Sequence, residues 1–158
     1  MNKLIRCAKC KHEDLQKTRK TRIRTVAGHT FQAELDALNC PACDATHYSA
    51  QSVETFEMAI AVWLAEQGVN DGEAIRLMRN VLKLKGLELA ALLDVTPETL
   101  SRWEKEHRPP DRKATALLAS MILDRKAGHD QTLQRLRSWQ NPPEKASTLN
   151  LTLIPFVA

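Results

Sequence analysis

Two Cys-x-x-Cys pairs, Cys7-Ala8-Lys9-Cys10 and Cys40-Pro41-Ala42-Cys43, constrain this chain more than any other feature. Each pair can present two thiolates from one tight turn, and together they complete the tetrahedron of a structural metal site. The 29 residues between the pairs exceed the common spacing, so the intervening chain must double back. Arg22-Ile23-Arg24-Thr25-Val26 and Thr30-Phe31-Gln32-Ala33-Glu34-Leu35 flank Ala27-Gly28-His29, with apolar residues alternating in the second run. That pattern predicts a β-hairpin. One structural zinc ion held by Cys7, Cys10, Cys40 and Cys43 is the expected cofactor, and four sulfur ligands leave no open position for catalysis. Iron is the lesser alternative for a sulfur-only site. Thiol redox chemistry is the rival, but two pairs without a βαβ pattern do not suit it, and reducing cytosol opposes stable disulfides. Lys9, Lys11 and Arg6 are expected to offset the thiolate charge. His12 and His47 lie close enough in sequence to compete as ligands, yet with four cysteines present each reads as an exposed polar residue.

A chain of 158 residues holds one ordinary domain or two small ones. With 43% apolar and 27% charged residues it is expected to be folded. No apolar run approaches the roughly 20 residues of a membrane span, and the start lacks the long apolar stretch of a secretory signal. A cytoplasmic protein is the expectation. Net charge is +4, but unevenly placed: +4 over residues 1–47, −4 over 48–72, +2 over 73–113 and +2 over 114–158. The acidic middle looks like a connector.

Beyond the cysteines the period becomes helical. Val53, Phe56, Ala59, Ile60, Trp63 and Leu64 share one face, with Ser52 as cap and Gly68 as stop. Asn70 and Glu73 resemble a capping box for a helix at about 72–83, and a shorter helix covers about 87–93. Thr96-Pro97-Glu98 is a strong helix start, running to about Glu106. Pro109-Pro110 intervenes, Asp111 caps a helix to about Lys126, and another spans about 130–140. After Asn141-Pro142-Pro143, Leu149, Leu151 and Leu153 alternate with polar residues as in a strand, which could pair across a dimer or stay disordered. The expected organisation is a metal-binding module over 1–48, a connecting helix and linker over 49–70, a helical domain over 71–141 and a tail over 142–158. The fold class is mainly α.

Leu89-Ala90-Ala91-Leu92-Leu93-Asp94-Val95 followed by Thr96 to Glu104 places apolar residues where two short crossed helices need them. Leu89, Leu93, Val95, Leu100 and Trp103 are the expected shared core, with Ala90 small enough for close contact. Glu98, Thr99, Ser101, Arg102 and Lys105 then face outward, as on a helix that enters the major groove of DNA. Arg102 can donate two bonds to guanine O6 and N7. Thr96, Thr99 and Ser101 suit phosphates or bases, while Lys105 and Arg108 suit phosphate at the helix exit. Glu98 must accept from a cytosine N4, pair with an arginine or serve folding.

Residues 75–123 resemble the Xre/Cro-type helix-turn-helix in Leu-Ala-x-Leu-Leu-x-Val-Thr, Thr-Leu-Ser-Arg-Trp-Glu and the exit Arg108-Pro109. With the cysteine pairs ahead of them, residues 5–125 resemble the MqsA/YgiT-type zinc-finger and helix-turn-helix antitoxins. That resemblance implies a five-helix, lambda-repressor-like domain after a zinc-bound hairpin, a homodimer on double-stranded palindromic operator DNA, and a zinc module that binds an RNase toxin. It further implies that Ser101-Arg102 read bases. Lys11 and Asp44 stand where the family often has glycine after each Cys-x-x-Cys. Asp94 replaces the turn glycine, and Lys85-Gly86 replaces a Thr/Ser-Gln helix opening.

An autoregulating antitoxin and transcriptional regulator, not an enzyme, is therefore the expected function. A stand-alone repressor, in which Lys17-Thr18-Arg19-Lys20-Thr21-Arg22 adds DNA contacts, is the alternative, and a thiol enzyme is the third. Dimer contact is expected through the 53–67 helix or the 130–140 helix.

Overall fold

The computed structural model describes residues 6–142 together with Thr152. A three-stranded antiparallel sheet precedes six helices. Strands β1 (Gln16–Val26), β2 (His29–Asn39) and β3 (Thr46–Tyr48) lie in the order β1-β2-β3. Val26 pairs with His29, so Ala27 and Gly28 form a two-residue turn with φ of 50° and 76°. Such left-handed pairs match the twist of the flanking strands. The Ala27 amide also donates to Glu73 Oε2 at 2.6 Å, which ties the hairpin tip to the helices. The hairpin is longer than its apolar pattern foretells, because backbone pairing continues to Gln16↔Asn39 through residues that bury little. β3 has three residues, too few for any periodicity to reveal.

Helix α1 (Ala50–Glu66) is capped by Ser49 and not Ser52. Ser49 has the extended backbone a cap needs, and its Oγ accepts from Ser52 N at 3.0 Å, which leaves Ser52 inside the first turn. The buried face, Phe56, Ile60, Ala61, Leu64 and Ala65, is rotated from the expected one. Ala59 is exposed, and Trp63 sits at the seam with the sheet, its ring 4.8 Å from His29 and 5.2 Å from Phe31. Gly68, at φ 64°, terminates the helix as expected.

Helix α2 (Gly72–Val81) is capped by Asp71 and not Asn70. Asn70 is engaged elsewhere, donating to Pro110 O at 3.2 Å and accepting from Thr115 Oγ1 at 2.5 Å. The remaining helices are α3 (Gly86–Leu92), α4 (Pro97–Glu104), α5 (Arg112–Lys126) and α6 (Gln131–Gln140). Thr96 caps α4 and Asp111 caps α5, as their sequences require. α4 stops at Glu104, ahead of the expected Glu106, whose φ of 60° no right-handed helix accommodates. At α6 the Asp130 side chain makes no cap; Asp124 on α5 accepts from Thr132 N at 2.6 Å instead.

α1 packs against β2, α2 and α5; α2 also meets α4 and α5, and α6 meets α5 and α3. The sheet does not bury its face alone. Val26 and Leu35 belong to the same continuous core as Ile60, Leu64, Ile75, Met78, Leu118 and Ile122. The alternating segment at 149–153 lies outside the described residues apart from Thr152. Among the described residues no helix is long and apolar enough to cross a membrane.

Candidate metal centre and nucleic-acid interface

The two cysteine turns are built alike. In the first, Cys7 N donates to His12 O at 2.8 Å and Lys11 N to Cys7 O at 2.9 Å; in the second, Cys40 N donates to Ala45 O at 2.9 Å and Asp44 N to Cys40 O at 2.8 Å. Each turn closes through a residue in the left-handed region, Lys11 at φ 66° and Asp44 at φ 54°. Glycine adopts that conformation without steric cost, whereas lysine tolerates it less well. Asp44 is the better suited of the two, and its Oδ1 accepts from Asn39 Nδ2 at 2.9 Å.

The β1–β2 hairpin returns the second turn to the first. Ligand sulfurs of Cys7, Cys10, Cys40 and Cys43 all lie within 4.8 Å of one another, close enough to hold a metal ion. Across the turns, Cys7 and Cys43 are 3.6 Å apart and Cys10 and Cys40 3.5 Å. A disulfide would need about 2.05 Å. Four sulfurs at about 2.3 Å around one ion would be about 3.8 Å apart, so the spacing fits a shared ion.

The electrostatics point the same way. The backbone amide of Cys10, helped by the His47 ring and the Lys9 amide, brings the Cys7 thiol down to about 5 against the opposing effect of burial. The Ala45 amide favours a thiolate at Cys43, yet burial and the neighbouring sulfurs of Cys10, Cys40 and Cys7 push it up to about 12. One sulfur is ready to be an anion and another resists, because crowded negative charges repel. A dication among them removes that conflict and lets all four ionise.

Of the three cations expected to balance the site, Arg6 is held by Glu13 at 2.6 Å and Lys11 leans on Ala8 O at 3.5 Å, while Lys9 is exposed. His47 is the side chain that reaches a sulfur. It is half-buried on β3, with Nε2 3.3 Å from Cys7 Sγ, and so departs from the exposed role expected of it. His12 contributes its carbonyl to the first turn.

The second cluster lies on α4. Leu100 and Trp103 are 2% and 3% exposed, which fixes this helix to the body of the protein. Leu89 and Ala90 of α3 are buried as expected, but Leu92 is buried in place of the expected Leu93 and Val95, which are half-buried. Asp94 takes φ 53° in the α3–α4 turn, a left-handed conformation that glycine adopts without steric cost. α2 approaches α4 so closely that a Cβ on Gly72 would lie 2.0 Å from the Trp103 carbonyl oxygen. Beside it, Arg79 grips Glu104 with two bonds, Nε–Oε1 at 2.6 Å and Nη2–Oε2 at 3.1 Å, and donates to Leu84 O at 3.0 Å.

Outward from this anchor, Pro97, Glu98, Ser101, Arg102, Lys105 and His107 line one shallow depression of 390 Å³. Glu98, Arg102, Lys105 and Arg108 are exposed; Thr99 and Ser101 are half-buried. The Thr96 hydroxyl is engaged in the helix cap, accepting from Thr99 N at 3.1 Å with Thr99 Oγ1 at 3.0 Å. Arg108 borders a different hollow, with Asn70, Asp71 and Trp103. His107, past the helix end where no period applies, joins Arg102 and Lys105 without having been anticipated.

No protein-family model and no curated protein matches this chain.

Proposed function

We propose that this chain is a sequence-specific DNA-binding transcriptional regulator, with α3 and α4 as a helix-turn-helix and one structural zinc ion on Cys7, Cys10, Cys40 and Cys43. The observation that carries this reading is the two-sided α4, which buries Leu100 and Trp103 and presents Arg102 and Lys105 to solvent. Arg102 would donate in a fork to a guanine in the major groove, with Ser101 beside it. Lys105 and His107 would meet phosphates at the helix exit, and Arg108 would do so from its separate position. Thr96 supports the helix end more than it contacts DNA. A closed four-sulfur set suits zinc or iron alike, and metal analysis of the purified chain separates them.

In its fuller form the chain is a homodimeric, autoregulating antitoxin on a palindromic operator, and the sheet binds a toxin. β1, an outer strand carrying Lys17, Arg19, Lys20, Arg22 and Arg24 without one acidic residue, would meet an acidic face of the toxin in this form and DNA phosphate in the simpler one. The simpler form is a repressor without a toxin, and co-purification with the product of the adjacent gene separates the two. DNA reading itself is tested by selecting duplexes at low ionic strength and comparing wild type with Arg102→Ala. The variant should lose about 1–3 kcal/mol on the selected sequence and little on random DNA. Equal losses on both would remove Arg102 from base reading, and absence of any selected sequence would remove the function.

A further inference from the structure

The Cys7 thiolate has an unusual need. Cys7 is buried while Cys10, its partner in the turn, is exposed, so water can solvate one sulfur and not the other. A buried anion requires donors from the protein. Backbone amides of Cys10 and Lys9 supply part of this, and Arg6, the nearest guanidinium in sequence, is taken by Glu13. The remaining approach is filled by a ring from 40 residues away, with His47 Nε2 at 3.3 Å.

We propose that His47 is a positioning residue of the metal centre, donating its Nε2 proton to the Cys7 sulfur and so retaining that thiolate as a ligand. This rests on the reading that the four cysteines hold a metal ion. A metal-bound thiolate has no proton to give, so the nitrogen facing it must be the donor. Four clustered sulfurs would already supply the ligands of a tetrahedral ion, which leaves the imidazole outside them as a second layer.

The strand that carries the ring is held on both sides of it. β3 begins directly after the second cysteine turn, and His47 pairs with Leu38 of β2. Thr46 Oγ1 donates to Asn39 Oδ1 at 3.3 Å before it, and Tyr48 OH donates to Thr21 O at 3.2 Å after it. Arg22 lies over the Tyr48 ring, 5.2 Å from its centre. The strand that follows the second pair thus delivers a donor to the buried sulfur of the first, and links the two turns by a contact additional to the ion.

The test uses the zinc-loaded full chain. Transfer of zinc to a coloured chelator should be about 10–100-fold faster for His47→Ala than for wild type. His47→Gln, whose amide nitrogen can occupy the Nε2 position, should recover most of the difference, and alkylation should rise at Cys7 in the alanine variant alone. In zinc-loaded wild type, nitrogen NMR should show the His47 proton on Nε2, a measurement that needs no variant. Unchanged release in His47→Ala, no recovery in a folded His47→Gln, or a ring with its proton on Nδ1 would each overturn the proposal. A cobalt-substituted spectrum of three sulfurs and one nitrogen would overturn it by making His47 a ligand. Wild type that takes up no metal would overturn the metal reading as well, and metal content distinguishes that failure from the others.

Discussion

The sheet end and the helical body reach order by opposite routes. At the sheet end, four side chains from two turns, Cys7 and Cys10 with Cys40 and Cys43, converge on one point, and two left-handed residues, Lys11 and Asp44, are held where glycine would be easier. In the helical body, order is distributed over many buried residues from α1 to α6, with side-chain caps at the starts of α1, α2, α4 and α5. A concentrated device makes every ligand indispensable, whereas a distributed core lets each residue be modest. Where the regions meet, Val26, Leu35 and Trp63 carry the coupling, joined by Arg24 with Glu57 and by the Ala27 amide with Glu73.

The sharpest way to break the contrast is Cys40→Ser. The metal ion proposed on the four cysteines would contribute on the order of 10 kcal/mol to the sheet end if it is structural zinc. Limited proteolysis should therefore open residues 6–48 while α2 to α6 persist, and Trp63 emission should shift red as its sheet contacts loosen. Unchanged protease resistance at the sheet end would show that its order does not depend on the cysteines.

Next in size is Gly72→Ala. Because the new methyl would meet backbone and not a flexible side chain, α2 and α4 must separate, at a cost of about 3 kcal/mol. Denaturant unfolding measures it, and a loss below about 0.5 kcal/mol would mean that the helices yield freely. A smaller effect is expected from the grip of Arg79 on Glu104, whose side chains are 16% and 11% exposed. A double-mutant cycle with Arg79→Met and Glu104→Gln should give about 1.5–3 kcal/mol of coupling. Coupling near zero would leave Gly72 packing as the main tie between α2 and α4.

The smallest is a pH effect confined to the helical body. The Thr132 amide, then its hydroxyl, with weaker help from His129 and Arg135, holds the Asp124 carboxyl below its ordinary value in spite of burial. Its contribution is therefore full above the unfolded carboxyl value of about 3.9 and is lost as pH falls through the lower folded value. Asp124→Asn should flatten the acid limb of the stability curve below about pH 4, and superimposable limbs would deny Asp124 its role at the start of α6.

Much of this was legible beforehand. Cysteine spacing indicated a shared site, and alternation gave the hairpin. Thr96-Pro97, Asp111 and Gly68 marked helix boundaries because their backbone preferences act locally. Other features were not legible. Asn70 looks like a cap until Pro110 and Thr115 engage it, and Ser52 looks like one until Ser49 proves to have the extended backbone. Asp124 caps a helix that begins seven residues later, which no local rule anticipates. His47 is visible in the sequence only as a rival ligand, and nothing there places its ring beside Cys7 as a donor, since three strand residues carry no period.

By itself, the sequence determined that a hairpin is followed by helices, where α4 and α5 start and that four sulfurs act together, because periodicity, capping and ligand chemistry are properties of short stretches. Tertiary structure alone decided that the sheet shares a core with α1, that Gly72 lies against Trp103 and that a histidine 40 residues away meets the Cys7 sulfur. Those contacts depend on how complete elements pack, and packing is settled by shape and by unsatisfied polar groups across the whole chain.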